Sequence, residues 1–283
     1  KKLLDRGVLS LFGFYGSPQV KAAYPLIQNT DVILFAPMSA ADEFRGSLHT
    51  NIYSIRPGHS EEAGAITRHA QTLGSNRLGI LHATDGESVA ALESAERTMI
   101  RLGANLVVKS PMVGGNLATS VDTAMAALPQ AILLISDATG AASVIRDLRD
   151  KGFRGPIYGF SNTGESLLAD ELGPVGAGVV VVRVVTVSDH SKVPVVRELI
   201  ADASANKLGK PNVYMLEGYI AARAYVEALR RIQQVPSRAN LKKALESLND
   251  FVVGGFRVHF GDDRVGSKRV WLSVVDSQGR VRE

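Results

Sequence analysis

The sequence contains no cysteine, so disulfide bonds, thiol catalysis and cysteine-ligated metal sites are excluded. Long apolar runs are absent as well. The longest, Val179–Val185, is interrupted by Arg183 and falls far short of the ~18 residues that cross a bilayer. The 6 histidines show no spacing typical of metal ligands, and we expect them to be solvated or satisfied in the core. The sequence therefore predicts no metal site.

Catalytic and nucleotide-binding signatures are missing too. There is no Walker loop and no GxSxG, and neither Gly13–Gly16 nor Gly176–Gly178 completes a dinucleotide fingerprint. The net charge is only +4, and the lysines and arginines are scattered without a basic block. We therefore expect no cofactor, no catalytic residues and no nucleic-acid partner.

What the sequence does contain is the balance of an ordinary globular protein, with 45% hydrophobic and 21% charged residues. A chain of 283 residues forms one large domain or two modest ones. It begins KKLLDRGVLS, a pattern typical of the last turn of a helix that runs into a strand. We therefore expect a preceding portion, including a signal peptide, that is missing from this sequence.

The stretch Val8–Ala40 predicts a binding edge. Its first segment is a buried parallel strand, followed by a helix over Pro18–Gln28, a second strand over Val32–Ala36 and a loop over Pro37–Ala40. The carboxyl ends of parallel strands meet the following helix starts at one edge of a sheet, where a carboxylate can bind. We expect Ser17 and the loop to lie at that edge. The alternative is that Ser17 only caps its helix.

The rest of the chain alternates between short apolar strands and helices. Further strands are predicted at Asn51–Arg56, Arg77–Ala83, Asn105–Lys109, Ala131–Ser136, Pro156–Phe160, Val179–Val187, Gly255–Phe260 and Val270–Val275. Further helices are predicted from Ser60 to Leu73, from Asp85 to Gly103, at Leu117–Leu128 and Thr139–Lys151, after Asn162, and at Val193–Asn206, Asn212–Gln233 and Arg238–Leu248. This alternation predicts an α/β fold, with parallel sheets covered by helices on both faces.

Short polar residues mark four strand-to-helix junctions. They are Gly16-Ser17, Thr84-Asp85, Asp137-Ala138-Thr139 and Ser161-Asn162. Each alone is typical of a helix cap, whereas four at the carboxyl ends of parallel strands indicate a polar-lined cleft. Arg183, a lone charge in a valine strand, could bind a ligand carboxylate, but a sheet edge or surface position is its simpler explanation. Glu61 and Glu62 lie in a first helical turn, where the helix dipole favours acids.

The sequence resembles a known family at several segments. They are FGFYGS, PQVKAAYPLI, VILFAPMSAA, NIYSIRP, RLGILHATDGE, IYGFSNTG and GGFRVHFGDD. Together they are similar to the type I periplasmic binding proteins, in particular the leucine/isoleucine/valine-binding group of branched-chain amino-acid receptors. The resemblance implies two Rossmann-like α/β lobes joined by a three-crossover hinge, here without the N-terminal part of the first lobe.

The resemblance also implies domain boundaries. Lobe 1 would comprise residues 1–56 and 188–257, and lobe 2 would comprise residues 57–187 and 258–283. The crossovers would lie near Arg56-Pro57, Thr186–Asp189 and Phe256–Val258.

The family's ligand contacts can be placed on this sequence. A serine and a loop that hold the ligand carboxylate match Ser17 and Met38-Ser39-Ala40, and Thr84-Asp85 holds the place of an aromatic residue in the other lobe. The candidate ligand-binding residues are Phe14, Tyr15, Gly16, Ser17, Met38, Ser39, Ala40, Asp85, Asp137, Ala138, Ser161 and Asn162, with Phe14 and Tyr15 forming an apolar wall.

One position departs from the family pattern. Amino-acid-binding members usually carry an acid for the ligand's α-ammonium at about the position of Ser161. A neutral hydroxyl does not offset the desolvation of a buried ammonium. Either Asp85 or Asp137 substitutes, or the ligand is a carboxylate or amide without a free amine.

Three functional hypotheses follow. The first is the substrate-binding component of an ABC importer, periplasmic or membrane-anchored outside the cell, which captures a small molecule between its lobes by hinge closure and delivers it to a membrane permease. The second is a ligand-sensing domain of a receptor or regulator with the same fold. The third is an enzyme that uses Asp85 or Asp137 as acid or base, but no nucleophile or metal motif accompanies them. We expect a binding protein rather than an enzyme.

Overall fold

The computed structural model describes residues 1–46, 48–114, 117–186 and 192–283. Within these ranges the helices are α1 (Lys2–Asp5), α2 (Ser17–Ala23), α3 (His59–Thr72), α4 (Gly86–Arg101), α5 (Leu117–Ala126), α6 (Ala138–Asp150), α7 (Glu165–Leu172), α8 (Pro194–Ala205), α9 (Val213–Arg230) and α10 (Arg238–Glu246). The strands are β1 (Ser10–Phe12), β2 (Ile33–Phe35), β3 (Ile52–Tyr53), β4 (Arg77–His82), β5 (Asn105–Pro111), β6 (Ala131–Ile135), β7 (Ile157–Gly159), β8 (Val179–Arg183), β9 (Phe251–Val253), β10 (Phe256–Val258), β11 (Trp271–Val275) and β12 (Val281–Arg282).

The predicted alternation of strands and helices is confirmed, although the elements at the start of the chain are shorter than expected. Strand β1 stops at Phe12 because Gly13, at φ +66°, leaves the extended conformation. Helix α2 stops at Ala23 and continues as a 3₁₀ turn that contains Pro25. Proline disfavours the α conformation of the residue before it and lacks the N–H that an α-helix needs.

Strand β9 was not predicted. It forms an antiparallel hairpin with β10 in which Val253 pairs with Phe256. The two loop residues, Gly254 and Gly255, have φ values of +49° and +101°. A Gly-Gly pair suits such a loop because two-residue hairpin turns place their central residues at positive φ.

One compact unit comprises residues His59–Val184 and Val270–Glu283. Its seven strands lie in the order β12-β11-β8-β7-β6-β4-β5. The strands β4 to β8 run parallel, β11 pairs antiparallel with β8, and β12 pairs antiparallel with β11. Ile80 and Leu133 pack with α3 and α4, whereas Leu81 and Leu134 belong to the core that contains α5, α6 and α7. Helices therefore cover both faces of this sheet, as the sequence predicts.

Arg183 does not lie at an edge or on the surface. It ends β8, an interior strand between β7 and β11, and it is fully buried. Its Nη2 lies 2.7 Å from Oε1 of Glu283, so the guanidinium is paired inside this unit. The expected surface position is wrong because a buried cation is tolerated where a carboxylate compensates it.

The other compact unit comprises residues Lys1–Gly58 and Val185–Arg269. It contains the parallel sheet β1-β2-β3, the β9-β10 hairpin and helices α8 to α10. Phe35 in the middle strand contacts the rings of Tyr225 and Phe260 at centroid distances of 5.3 and 6.0 Å. These aromatic contacts connect the sheet to α9 and to the segment that follows β10.

The chain passes between the units after Gly58, after Val184 and after Arg269. The last of these positions lies later in the chain than the predicted crossover at Phe256–Val258. The reason is that the segment after β10 stays bound to the unit that contains β1 to β3. There, Gly266 N donates to Ser54 O at 2.7 Å, and Ser54 N donates to Arg264 O at 3.0 Å. Of the predicted crossover Thr186–Asp189, only Thr186 lies within the described residues. No helix in the described ranges combines the length and apolar character that a bilayer crossing needs.

Candidate functional site

The loops that follow β1 and β2 are joined by backbone hydrogen bonds. Gly16 N donates to Met38 O at 3.0 Å, and Met38 N donates to Phe14 O at 2.7 Å. Tyr15 and Met38 consequently form a parallel bridge beyond the ends of the two strands. The two predicted loops therefore lie side by side at one sheet edge, as the order of strands and helices predicts.

Ser17 and Ser39 meet at this edge. Their Oγ atoms are 2.6 Å apart, and the residues are only 3% and 1% exposed. Ser17 is not the helix cap, because α2 begins at Ser17 itself and Gly16 occupies the N-cap position. One hydroxyl proton bridges the two oxygens, so the two side chains are fixed against each other where the loops meet.

Arg45 binds the backbone of the loop that contains Ser39. No local sequence pattern predicts this contact. Its guanidinium donates to Ala41 O at 2.6 Å, to Ser39 O at 2.8 Å and to Pro57 O at 2.9 Å. The five N–H donors of an arginine can bind several carbonyls at once. Arg45 therefore fixes the position of Ser39 relative to the chain that leaves β3.

An apolar pocket of about 170 Å³ lies at the same end of this sheet. It is lined by Phe12, Gly13, Ala36, Pro37, Met38, Ile55, Glu217, Gly218 and Ala221. Of the predicted ligand-binding residues only Met38 is among them, and Phe12 supplies the aromatic ring. Phe14 is half-buried elsewhere in the loop, and Tyr15 is 67% exposed.

Glu217 brings a buried carboxylate to this pocket. Its Oε2 lies 3.6 Å from Nη1 of Arg56, and both side chains are about nineteen-twentieths buried. An ion pair so far from solvent depends on both partners, because either charge alone would be costly to bury. The sequence does not predict this ion pair, since Arg56 lies in the loop after β3 and Glu217 lies on α9, far away in the chain.

In the other unit, the predicted acids act as helix caps. Asp85 Oδ1 accepts from the amides of Glu87 and Ser88 at 3.0 and 3.1 Å, and its Oδ2 accepts from Ser88 Oγ. Asp137 Oδ1 accepts from Gly140 N at 2.8 Å. The two carboxylates therefore stabilise the starts of α4 and α6. This is the helix-cap role that each polar strand-to-helix junction, taken alone, indicates.

Ser161 is bound to an acid that the sequence did not single out for this site. Glu62 of α3 is fully buried, and its Oε2 accepts from Ser161 N at 2.8 Å. Its Oε1 accepts from Ser161 Oγ at 2.9 Å. The Glu62 carboxylate therefore fixes both the backbone and the hydroxyl of Ser161.

The predicted junction residues of this unit lie at the carboxyl ends of adjacent strands. Asp85 follows β4, Asp137 and Ala138 follow β6, and Ser161 and Asn162 follow β7, and the sheet order is β7-β6-β4. Ala138 and Asn162 are half-buried. Within the described ranges, no group of three His, Cys, Asp or Glu residues could hold a metal ion.

Comparisons with known proteins identify the fold. A family model described as periplasmic binding protein matches residues 1–280. The structure is similar to an extracellular ligand-binding receptor from Verminephrobacter eiseniae ef01-2, with 24% identity, a TM-score of 0.89, and coverage of 100% of this chain and 82% of that one. It is also similar to a substrate-binding periplasmic protein from Ralstonia solanacearum, with 27% identity, a TM-score of 0.85, and coverage of 96% and 79%.

A third similar structure is a branched chain amino acid ABC transporter from Thermus thermophilus with bound valine. It is 19% identical, with a TM-score of 0.87 and coverage of 99% of this chain and 78% of that one. No curated protein sequence matches this chain significantly. The family model covers nearly the whole chain and the two-unit α/β architecture agrees with it, so the resemblance read from the sequence is confirmed: the chain belongs to the periplasmic binding protein family.

Proposed function

We propose that this chain is the substrate-binding component of an ABC importer. It captures a small amino acid, or a related carboxylate or amide, by closing its two units on the ligand, and then delivers it to a membrane permease. It does so in the periplasm, or outside the cell as a membrane-anchored protein. Ligand contacts with both units would favour the closed state, which is how a ligand shifts a hinge equilibrium.

The buried hydroxyl pair of Ser17 and Ser39 carries this proposal. The two oxygens lie 2.6 Å apart on loops that are joined by backbone hydrogen bonds. Arg45 donates to the backbone carbonyl of Ser39 and so stabilises the second of these loops. Such a pair is fixed before the ligand arrives, so little side-chain entropy is lost on binding. A hydroxyl that donates to a carboxylate forms a charge-assisted hydrogen bond, which is stronger than a neutral one.

The apolar pocket supports a ligand with a hydrophobic group. At about 170 Å³ it is close to the size of the engineered apolar cavity of ~150 Å³ that holds benzene. A branched alkyl group or a single ring therefore fits it. The related Thermus thermophilus protein was solved with bound valine, which supports the same class of ligand.

Isothermal titration calorimetry tests the proposal. The panel comprises leucine, isoleucine, valine and phenylalanine, their amides, and their carboxylates without the amine. We expect at least one member to bind with a Kd of about 1 μM or tighter, equivalent to about −8 kcal/mol. Small-angle scattering should then show a smaller radius of gyration with ligand, and the ligand should be recovered unchanged. Absence of binding across the panel would contradict the proposed ligand class.

A further inference from the structure

Gly218 occupies a position in helix α9 where a larger side chain would fit. It lies inside Val213–Arg230 and does not have a positive φ. A glycine inside a helix is less favourable than an alanine, because it loses more conformational freedom on folding. A Cβ at this position would meet no atom of the described residues within 4 Å, apart from its own neighbours on the helix. The glycine therefore leaves open a space that another residue would fill.

Gly140 of α6 provides a contrast. A Cβ at that position would overlap Oγ of Ser136 and would lie 3.1 Å from Oδ1 of Asp137, the residue that caps the helix. Close neighbours therefore favour glycine at position 140. Packing against the described residues does not explain the glycine at position 218.

The space beside Gly218 is the apolar pocket of about 170 Å³. Ala221, one helical turn further along α9, also lines this pocket, and Phe12 and Met38 line it from the ends of β1 and β2. All of these residues belong to the unit that contains β1 to β3. Met38 directly precedes Ser39, and consecutive Cα atoms are only about 3.8 Å apart. A single small ligand can therefore reach both the hydroxyl pair and the pocket.

We infer that Gly218 is a specificity-determining residue, which keeps the pocket large enough for a branched alkyl group or a ring of the ligand. This inference rests on the proposed function and narrows its ligand class to molecules with a large apolar group. A ligand with only a methyl group leaves most of the pocket unfilled. It therefore lacks the apolar burial and the dispersion contacts that a larger group gains.

The substitution Gly218→Leu tests the inference by filling the pocket. Calorimetry compares two ligand pairs: leucine with alanine, and 4-methylpentanoate with propanoate, which carry the same apolar groups without the amine. We expect the wild-type protein to bind the larger member of a pair at least about tenfold more tightly than the smaller one. In Gly218→Leu this ratio should fall at least about tenfold, because the new side chain occupies the space of the ligand's apolar group.

The matched control is Ala222→Leu. It adds a leucine side chain to the same helix, but at an exposed position that does not line the pocket. This variant should keep the wild-type ratio, and thermal unfolding should show a cooperative transition for both leucine variants.

Gly218→Ala is the second variant, for the case that Gly218→Leu fails to fold or binds neither member of a pair. Its unfolding temperature should rise, because the added Cβ has space and alanine is the better helix former. Its ratio should fall about fourfold, the effect of about one buried methylene.

The outcomes separate the inference from the proposed function. If a folded, ligand-binding variant at position 218 keeps the wild-type ratio, or if the wild type does not prefer the larger member, the inference is overturned and the proposed function stands. If the wild type binds no member of the whole calorimetric panel, the proposed function is overturned together with the inference.

Discussion

The side-chain oxygens of Ser17 and Ser39 lie 2.6 Å apart, although 22 positions separate the residues in the chain. The contact follows from topology, because β1 and β2 run parallel and their following loops emerge at the same end of the sheet. Backbone bonds between Phe14, Gly16 and Met38 then set the distance between the loops. The pair is a property of the sheet edge rather than of either loop alone.

Substitution of either serine should weaken ligand binding. Ser17→Ala and Ser39→Ala each remove one hydroxyl of the pair, so the hydrogen bond between the two serines is lost and the site loses a donor for a carboxylate. We expect the affinity for an amino acid found in the calorimetric panel to fall at least about tenfold, since hydrogen bonds to charged groups contribute about 1.5–3 kcal/mol. Calorimetry with each variant measures this.

The matched control for these variants is Ser273→Ala. Ser273 is also buried, at 2% exposure, but it lies in β11 of the other unit. It should keep the wild-type affinity. Equal losses in all three variants would show that burial of a serine, and not the hydroxyl pair, determines the effect.

The sequence predicts those polar residues whose partners are close in the chain. Asp85 and Asp137 cap helices by accepting from amides two or three residues ahead, which local spacing predicts well. The β-α alternation is also local, since it depends on apolar periodicity within each element. This is why the α/β class and the polar strand ends could be predicted.

Partners that are distant in the chain were not predictable in this way. Glu62 lies in a first helical turn, where an acid is explained by the helix dipole alone, yet its partner Ser161 is 99 positions away. The pairing of Arg183 with Glu283 spans 100 positions. Hydrophobic periodicity carries no information about which charge meets which, so tertiary packing decides these contacts.

The buried ion pair between Arg56 and Glu217 should behave as a unit. Glu217→Ala leaves the Arg56 guanidinium in a site where it is only 5% exposed, and we expect a loss of about 3–5 kcal/mol in the free energy of unfolding. The double variant Arg56→Met, Glu217→Leu should recover most of this loss, because apolar residues of similar volume often replace buried ion pairs without cost. Urea unfolding of the variants measures both values.

The matched control for the pair is Glu227→Ala. Glu227 lies on α9, as Glu217 does, and forms an ion pair with Arg231 just after the helix, with the two side chains 24% and 34% exposed. Its loss should be below about 1 kcal/mol. A Glu217→Ala loss as small as this would show that the Arg56 charge is compensated without Glu217.

Tyr158 should make the protein sensitive to alkaline pH. It is 1% exposed, and its OH lies 2.8 Å from Nδ1 of His69. Burial raises the pKa of Tyr158 from 10.0 to about 12. The folded state therefore holds the phenol proton more tightly than the unfolded chain does. The resulting stabilisation is fully present below about pH 10 and is lost as the pH rises from about 10 to 12.

The variant Tyr158→Phe isolates this contribution. At neutral pH it should be about 1 kcal/mol less stable than the wild type, because the hydrogen bond to His69 is lost. Between about pH 10 and 12 the wild type should lose roughly 2–3 kcal/mol more than the variant, since each pKa unit corresponds to about 1.4 kcal/mol. Urea unfolding across this range checks the difference, with Tyr15→Phe at an exposed tyrosine as the control. Parallel pH profiles for wild type and Tyr158→Phe would mean that the phenol ionises alike in both states, and the buried hydroxyl would then not limit alkaline stability.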